Sequence, residues 1–447
     1  MIISDPGSET SDEMRKNSLS LCFLLLVVLL VSSCRKQDLF DPEAYQQLIN
    51  DSAPISNIDS NHTWNLTTSY TVDVELPADA DVQYVQILDG NPNTQSDVEI
   101  LAEQKGKAGS SHSLFFYAPL CQKTLYAAQV TMAGTYLVKA FNAGQSSVVI
   151  DGDAISQESG FKEPSYQAYT YLFEEEYPKP SADWDFNDVV LRIQKLRSSA
   201  SDEIRLKITL AAVGATKQIA AAVRLVGYDY DDISSVTIEE GRSFDNISVN
   251  YNIDRTLIKS SALLLEGEND EAVLNLFEDA HWVMSPRLTS DGTGVMRMFY
   301  NTSRTVNGTT TAQMRAKTRT YVIKFSKTSQ LSKFTLENLD PFIIEDFNSG
   351  KWEVHTYDYK AAGVLHDYGS NETATSTNMV WALKIPSGSF RWAQEGENLG
   401  YYKKDEETGQ NVLTGAYMTF NHSFGQWVTD HTTNLDWFRY PATGLVY

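Results

Sequence analysis

At 447 residues the chain is too long for one ordinary hydrophobic core and calls for two or three domains. With 42% hydrophobic and 21% charged residues it has a globular composition, and its formal charge of −22 is spread along the chain rather than gathered in a tail. That distribution argues against nucleic acid, since phosphate recognition needs clustered Lys and Arg, and fits solubility and oxygen ligands for a hard cation.

The first 33 residues read as a signal peptide. Met14-Arg15-Lys16 supplies a positive start, Leu19 to Val31 an apolar run, and Ser32-Ser33 the small residues before a cut, which makes Met14 the expected true start. The run is shorter than the roughly 20 residues a spanning helix needs. Val31-Ser32-Ser33-Cys34 resembles a lipobox, in which the cysteine thiol is diacylated. Two acyl chains hold a protein on a membrane durably where one does not, so the chain is expected to be lipid-anchored to a membrane. Removing residues 1–33 takes away two basic and four acidic side chains and leaves 34 against 54, or −20. Of the three cysteines, Cys22 goes with the signal, Cys34 carries lipid, and Cys121 alone cannot form an internal disulfide. Cys121 reads as a small apolar residue rather than a nucleophile.

Residues 34–62 read as a tether, with a short helix over Glu43–Asn50 started by Asp41 and Pro42. Asp51-Ser52-Ala53 resembles a short Bacteroidetes O-glycosylation motif, which marks Ser52 as a candidate acceptor. From Trp64 the pattern changes to period two: Tyr70, Val72, Val74 and Leu76 alternate with polar residues, and Val85 and Ile87 continue the theme. Further strands are expected at Leu114–Tyr117, Leu125–Thr131 and Thr135–Phe141. Short strands separated by turns predict an N-terminal antiparallel β-sandwich over residues 63–150.

A larger β-rich, sandwich-like domain with one or two packed helices is expected over residues 151–447. Val189, Leu191 and Ile193 alternate with polar neighbours, as do Ile204, Leu206, Ile208 and Leu210, and later Tyr321, Ile323 and Phe325. Glu271–Met284 reads as a helix capped by Asp270, with Val273, Leu276, Phe277 and Ala280 on one face.

The most informative string is Glu174-Glu175 followed by Asp183-Trp184-Asp185-Phe186-Asn187-Asp188, which leads straight into a strand. Clustered carboxylates repel one another when ionised, and a cation removes that cost. Calcium suits best, because it accepts six to eight oxygens at flexible geometry and neither sulfur nor imidazole is nearby. Asp183, Asp185, Asn187 and Asp188 are the candidate ligands, with Glu174 and Glu175, backbone carbonyls and water completing the set. The string starts like an EF-hand but carries Asp188 at its sixth position and Gln194 at its twelfth, so a structural turn-and-strand loop is the better description. The competing reading has Asp183 and Asn187 making Asx turns, with Asp185 or Asp188 accepting backbone N–H groups and no metal at all.

Adjacent carboxylates on one tight loop lack the substrate-sized gap of a glycosidase, and no H-E-x-x-H, G-x-S-x-G or P-loop string occurs. Glu353-Val354-His355 is the remaining constellation: either a site or, at period two, an edge-strand pair.

Read in order, several strings resemble the LruC-domain family of bacterial lipoproteins. They are Tyr171-Leu172-Phe173-Glu174-Glu175 with the acidic loop, Asn275-Leu276-Phe277-Glu278-Asp279-Ala280-His281, Asp340-Pro341-Phe342-Ile343, Glu353-Val354-His355, Trp381-Ala382-Leu383-Lys384-Ile385-Pro386 and Asp436-Trp437-Phe438. Thr356 stands where that family leads one to expect Leu. The resemblance implies a β-rich domain attached to the outer membrane and supplies no activity.

Three readings of function follow. A non-catalytic adhesion or glycan- or protein-binding module would use Trp392, Trp427 and Trp437, with Glu353 and His355, as an interaction surface. A fimbria-like structural subunit would need a removable N-terminal strand. A polysaccharide hydrolase lacks the carboxylate geometry.

Overall fold

A computed structural model describes residues 57–175, 182–240, 265–267, 270–285, 287–292, 294–302, 313–327, 331–347, 350–357, 373–405 and 407–447, together with 44, 47, 48, 51 and 53–55. The signal segment, Cys34 and Ser52 lie outside these; of the expected short helix, Ala44, Gln47 and Leu48 are described and helical. The chain divides into two units, residues 1–48 and 49–447, and the strands belong to the second. No described helix is long and apolar enough to cross a membrane.

The protein is mainly β. Its first half holds β1 (Thr67–Glu75), β2 (Tyr84–Leu88), β3 (Glu99–Lys105), β4 (Ser111–Pro119), β5 (Thr124–Val130), β6 (Tyr136–Asn142), β7 (Ser147–Val149), β8 (Ile155–Ser156) and β9 (Ser165–Tyr166). Two sheets result, ordered β4-β1-β7 and β8-β6-β5-β2-β3-β9. The period-two pattern does what it predicts: Val72 and Val74 of β1 face inward onto Val85, Ile87, Leu114, Phe116, Leu125 and Phe141. Strands β8 and β9 carry the six-stranded sheet of this sandwich past residue 150.

The second half holds β10 (Ala168–Phe173), β11 (Val189–Leu196), β12 (Glu203–Ala212), β13 (Ala220–Asp229), β14 (Ile233–Glu240), β15 (Leu265–Glu266), β16 (Glu271–Phe277), helix α1 (Ala280–Met284), β17 (Lys317–Phe325), β18 (Leu339–Phe347), β19 (Gly350–Val354), β20 (Ala382–Ile385), β21 (Tyr401–Lys404), β22 (Asn411–Thr414) and helix α2 (Phe424–Thr429). One sheet runs β14-β17-β12-β11-β10-β20 and another β15-β16-β13-β18-β19, with β21-β22 a separate hairpin. Strand β10 is buried along its whole length, held between β11 and β20.

The helix expected over Glu271–Met284 is a strand for its first seven residues. Ala272 to Phe277 are all buried, because β16 lies between β15 and β13 and is covered on both faces. A fully buried strand reads as a continuous apolar run, which periodicity does not separate from a buried helix. Only Ala280–Met284 is helical, and its cap is Asp279, which accepts the N–H groups of His281 and Trp282, rather than Asp270.

The expected interaction surface is corrected as well. Trp427 and Trp437 are buried and stacked 5.6 Å apart, and Trp437 also meets Tyr417 edge-on at 5.1 Å. Trp392 is buried, donating Nε1–H to the Asn301 carbonyl at 2.7 Å and stacking on Tyr447. These rings build the core of the C-terminal segment, the commoner fate of large aromatics. Glu353 and His355 are buried too: His355 Nδ1 meets Asp340 Oδ2 at 2.9 Å, its Nε2 meets Glu353 Oε2 at 3.1 Å, and its ring stacks on Phe342. Glu353 lies on β19, the terminal strand of its sheet, and His355 follows just past its end, so the two are not a pair on one strand. Cys121 is free and partly buried, and burial pushes its thiol up, away from thiolate character.

Candidate metal centre

The acidic loop connects two neighbouring strands. Strand β10 ends at Phe173, so Glu174 and Glu175 emerge directly from a buried strand, and residues 182–188 re-enter the sheet at β11. Within the loop Trp184 and Phe186 adopt left-handed backbone, with φ of 58° and 56°. Side chains of this size rarely accept that conformation, at a cost of order 1–3 kcal/mol each. What holds them is burial: Trp184 is 1% exposed, its ring 4.6 Å from that of Trp381, and Phe186 is wholly buried. The apolar residues of Asp-Trp-Asp-Phe-Asn thus anchor the loop while the polar ones are presented between them.

Three of those polar groups converge. One carboxylate oxygen each from Glu174, Asp183 and Asp185 lies within 4.8 Å of the other two, a spacing one cation can span. Glu174 is fully buried and Asp185 nearly so, whereas Asp183 is exposed, which gives the cluster one wet side. Backbone amides take some of the oxygens: Glu174 Oε2 accepts from Phe186 N–H at 3.3 Å, Asp185 Oδ1 from Asn187 N–H at 3.1 Å, and Asp185 Oδ2 from Gly396 N–H at 2.8 Å. These bonds are what the metal-free reading expects. They do not exhaust the cluster, because Glu174 Oε1 and Asn187 Oδ1 are buried without a hydrogen-bond partner. A buried acceptor left unmade costs roughly 1–3 kcal/mol, more when it is charged.

Asn187 Nδ2 donates to the Ala393 carbonyl at 3.2 Å, which turns Oδ1 the other way, toward Gly214. There it meets a carboxylate the sequence does not advertise. A Cβ at Gly214 would lie 1.9 Å from Asn187 Oδ1 and 2.9 Å from Glu395 Oε2, and this Glu395 oxygen is also buried without a partner. Glu395 is 212 residues from Asp183 in sequence, on the segment after β20, and nothing in Gln394-Glu395-Gly396-Glu397 marks it. Only the fold finds it.

The other two expected ligands face elsewhere. Asp188 Oδ2 accepts the N–H of Glu175 at 2.5 Å, tying the two arms of the loop together. Glu175 Oε1 accepts from Thr216 N–H at 3.1 Å and Oγ1–H at 3.3 Å, so that carboxylate is turned to the loop between β12 and β13. Lys217 Nζ donates to the Glu175 carbonyl at 2.5 Å and pairs with Glu345.

Burial and mutual repulsion act in the same direction throughout. Desolvation first, then the charges of Asp183 and Asp185, hold the Glu174 carboxyl well above the usual range. Asp185 is raised by burial, Asp183 and Glu395, and Asp188 by burial, Glu174 and Glu175. Glu395 is pushed up to about 8, again by burial and then by Asp183. The donors are all oxygen, hard and anionic, the set that calcium takes at 2.3–2.6 Å, whereas zinc favours nitrogen and sulfur.

The chain matches no curated protein. Among solved structures, a crystal structure described as a "Putative lipoprotein from Bacteroides ovatus" is similar at 17% identity and a TM-score of 0.49, covering 82% of this chain and 99% of that one. The family described as "Domain of unknown function (DUF4842)" matches residues 202–438, a stretch that includes Gly214 and Glu395 and begins just after the acidic loop. That match spans more than half of the chain, and the protein belongs to this family.

Proposed function

We propose that the protein is a non-catalytic, lipid-anchored component of the cell envelope, held at the outer membrane through Cys34. In this reading its larger β-domain is stabilised by calcium, and the protein acts as an adhesion or glycan- or protein-binding module. The likeness to LruC-domain lipoproteins belongs to this proposal rather than to the family assignment. The observation that carries the calcium part is the set of buried oxygens without partners, Glu174 Oε1, Asn187 Oδ1 and Glu395 Oε2, beside the convergent carboxylates of Glu174, Asp183 and Asp185. A cation held by Glu174, Asp183 and Asp185 supplies the charge these carboxylates lack and a partner for Glu174 Oε1. The strained loop supports a structural role: its backbone is fixed by Trp184 and Phe186, so the ligands are preorganised and little ordering is left to do on binding.

The rings of Trp184 and Trp381 beside the loop offer a direct test, since indole sensitises terbium bound nearby. The expected result is terbium luminescence excited through tryptophan, displaced by calcium and lost in Asp185→Ala. Luminescence that Asp185→Ala and Glu395→Gln both leave intact would remove calcium from this loop.

A further inference from the structure

Away from the acidic loop, an open cleft of about 540 Å3 lies between the end of the first sandwich and the C-terminal segment. Asp89 follows β2 and Glu99 opens β3, and both line it. Each carboxylate is pinned by backbone through one oxygen: Asp89 Oδ1 accepts Glu99 N–H at 2.7 Å, and Glu99 Oε1 accepts Gly388 N–H at 3.2 Å. Arg391 and Arg439 also line the cleft, and Arg439 Nη2 is steadied by Gln122 Oε1 at 3.0 Å. Gln122 is itself fixed, since its Nε2 donates to the carbonyls of Asp89 at 2.5 Å and Thr124 at 2.7 Å. Phe438 and Tyr417 back the wall, buried and packed on Trp437. The volume falls within the roughly 300–1,000 Å3 of small-molecule sites.

The mixture of groups decides the ligand class. An anion would meet Asp89, Asp97 and Glu99, and a cation would meet Arg391 and Arg439, so neither sign of charge is favoured. A neutral polyhydroxylated ring satisfies both sets. Its hydroxyls donate to the carboxylates and its oxygens accept from the guanidinium groups. We propose that the cleft between Glu99 and Arg439 binds a neutral saccharide, an inference that rests on the binding-module reading and gives it a place and a ligand class. Burial, and then the charge of Asp89, push the Glu99 carboxyl up to about 8; burial raises Asp89 to about 6. Near neutrality Glu99 therefore keeps a proton and offers a sugar both a donor and an acceptor.

The test titrates the full chain in detergent with maltotriose, cellotriose and mannotriose by isothermal calorimetry, using 3′-sialyllactose and a glucosamine trimer as charged controls. At least one neutral trisaccharide is expected to bind, with affinity falling tenfold or more in Glu99→Gln and in Arg439→Gln. Arg439 is exposed, so its variant keeps the test open if Glu99→Gln fails to fold. Neutral-sugar binding that both folded variants retain overturns the cleft while leaving the binding-module reading standing elsewhere on the surface. Binding of the charged sugars alone overturns the ligand class. Binding of no trisaccharide overturns the proposal and leaves the module only a protein partner.

Discussion

At the scale of single residues, the account turns on which oxygens find partners. Gly214 is a sharp probe because its missing Cβ is what lets Asn187 Oδ1 and Glu395 Oε2 approach each other's space. Gly214→Ala is expected to lower stability by about 1–3 kcal/mol through overpacking and to weaken the calcium response, both read from urea unfolding with and without calcium. Unchanged unfolding in both conditions would mean that the contact is not tight. The sequence made the acidic string visible, since four polar oxygen-bearing residues in six positions is a local signal. It kept Glu395 and Gly214 hidden, because their place in the site comes from long-range pairing. It also did not separate Glu174, Asp183 and Asp185 from Asp188 and Glu175, whose side chains point to different neighbours.

At the scale of elements, the buried network joining β18 and β19 gives a pH dependence. His355, 3% exposed, is opposed by desolvation but held protonated by Asp340 and then Glu353, with a pKa of about 9. Arg224 Nη2 reaches the same Asp340 oxygen at 2.9 Å. The folded-state value is above the unfolded 6.5, so the stabilisation is fully present below pH 6.5 and is lost as pH rises through about 9. Its size is on the order of 3 kcal/mol. Denaturant unfolding of the wild type and His355→Gln across pH 6–10 checks this: the difference between them is expected to shrink as pH rises, and a constant difference would contradict it. Strand β16 yields a second test. Carbon-13 chemical shifts should mark Ala272–Phe277 as extended and only Ala280–Met284 as helical, whereas helical shifts from Glu271 onward would restore the single-helix reading. The half-buried strands were legible in the sequence because one wet face imposes alternation on β1, β11 and β12. Strand β16 was not, since burial on both faces erases the period that distinguishes it.

At the scale of the molecule, the two halves of the unit 49–447 are interlocked. Strand β9 pairs with β3 of the first sandwich and leads at once into β10, Arg197 pairs with Glu103, and Trp64 donates to the Asn378 carbonyl at 3.1 Å. Calorimetry is expected to give one unfolding transition for both halves, and two well-separated transitions would refute that coupling. The aromatic-rich end, legible in composition but not in placement, is part of this interior: rings that could stack on a ligand are stacked on each other. The central claim is that a cation completes the cluster around Glu174, Asp183 and Asp185, and thermal unfolding tests it most directly. With calcium at 100 times its dissociation constant, the wild type should gain about 2.7 kcal/mol over the same protein in chelator, seen as a higher Tm, and Asp185→Ala should gain almost nothing. A wild-type Tm that is the same in calcium and in chelator would contradict the account.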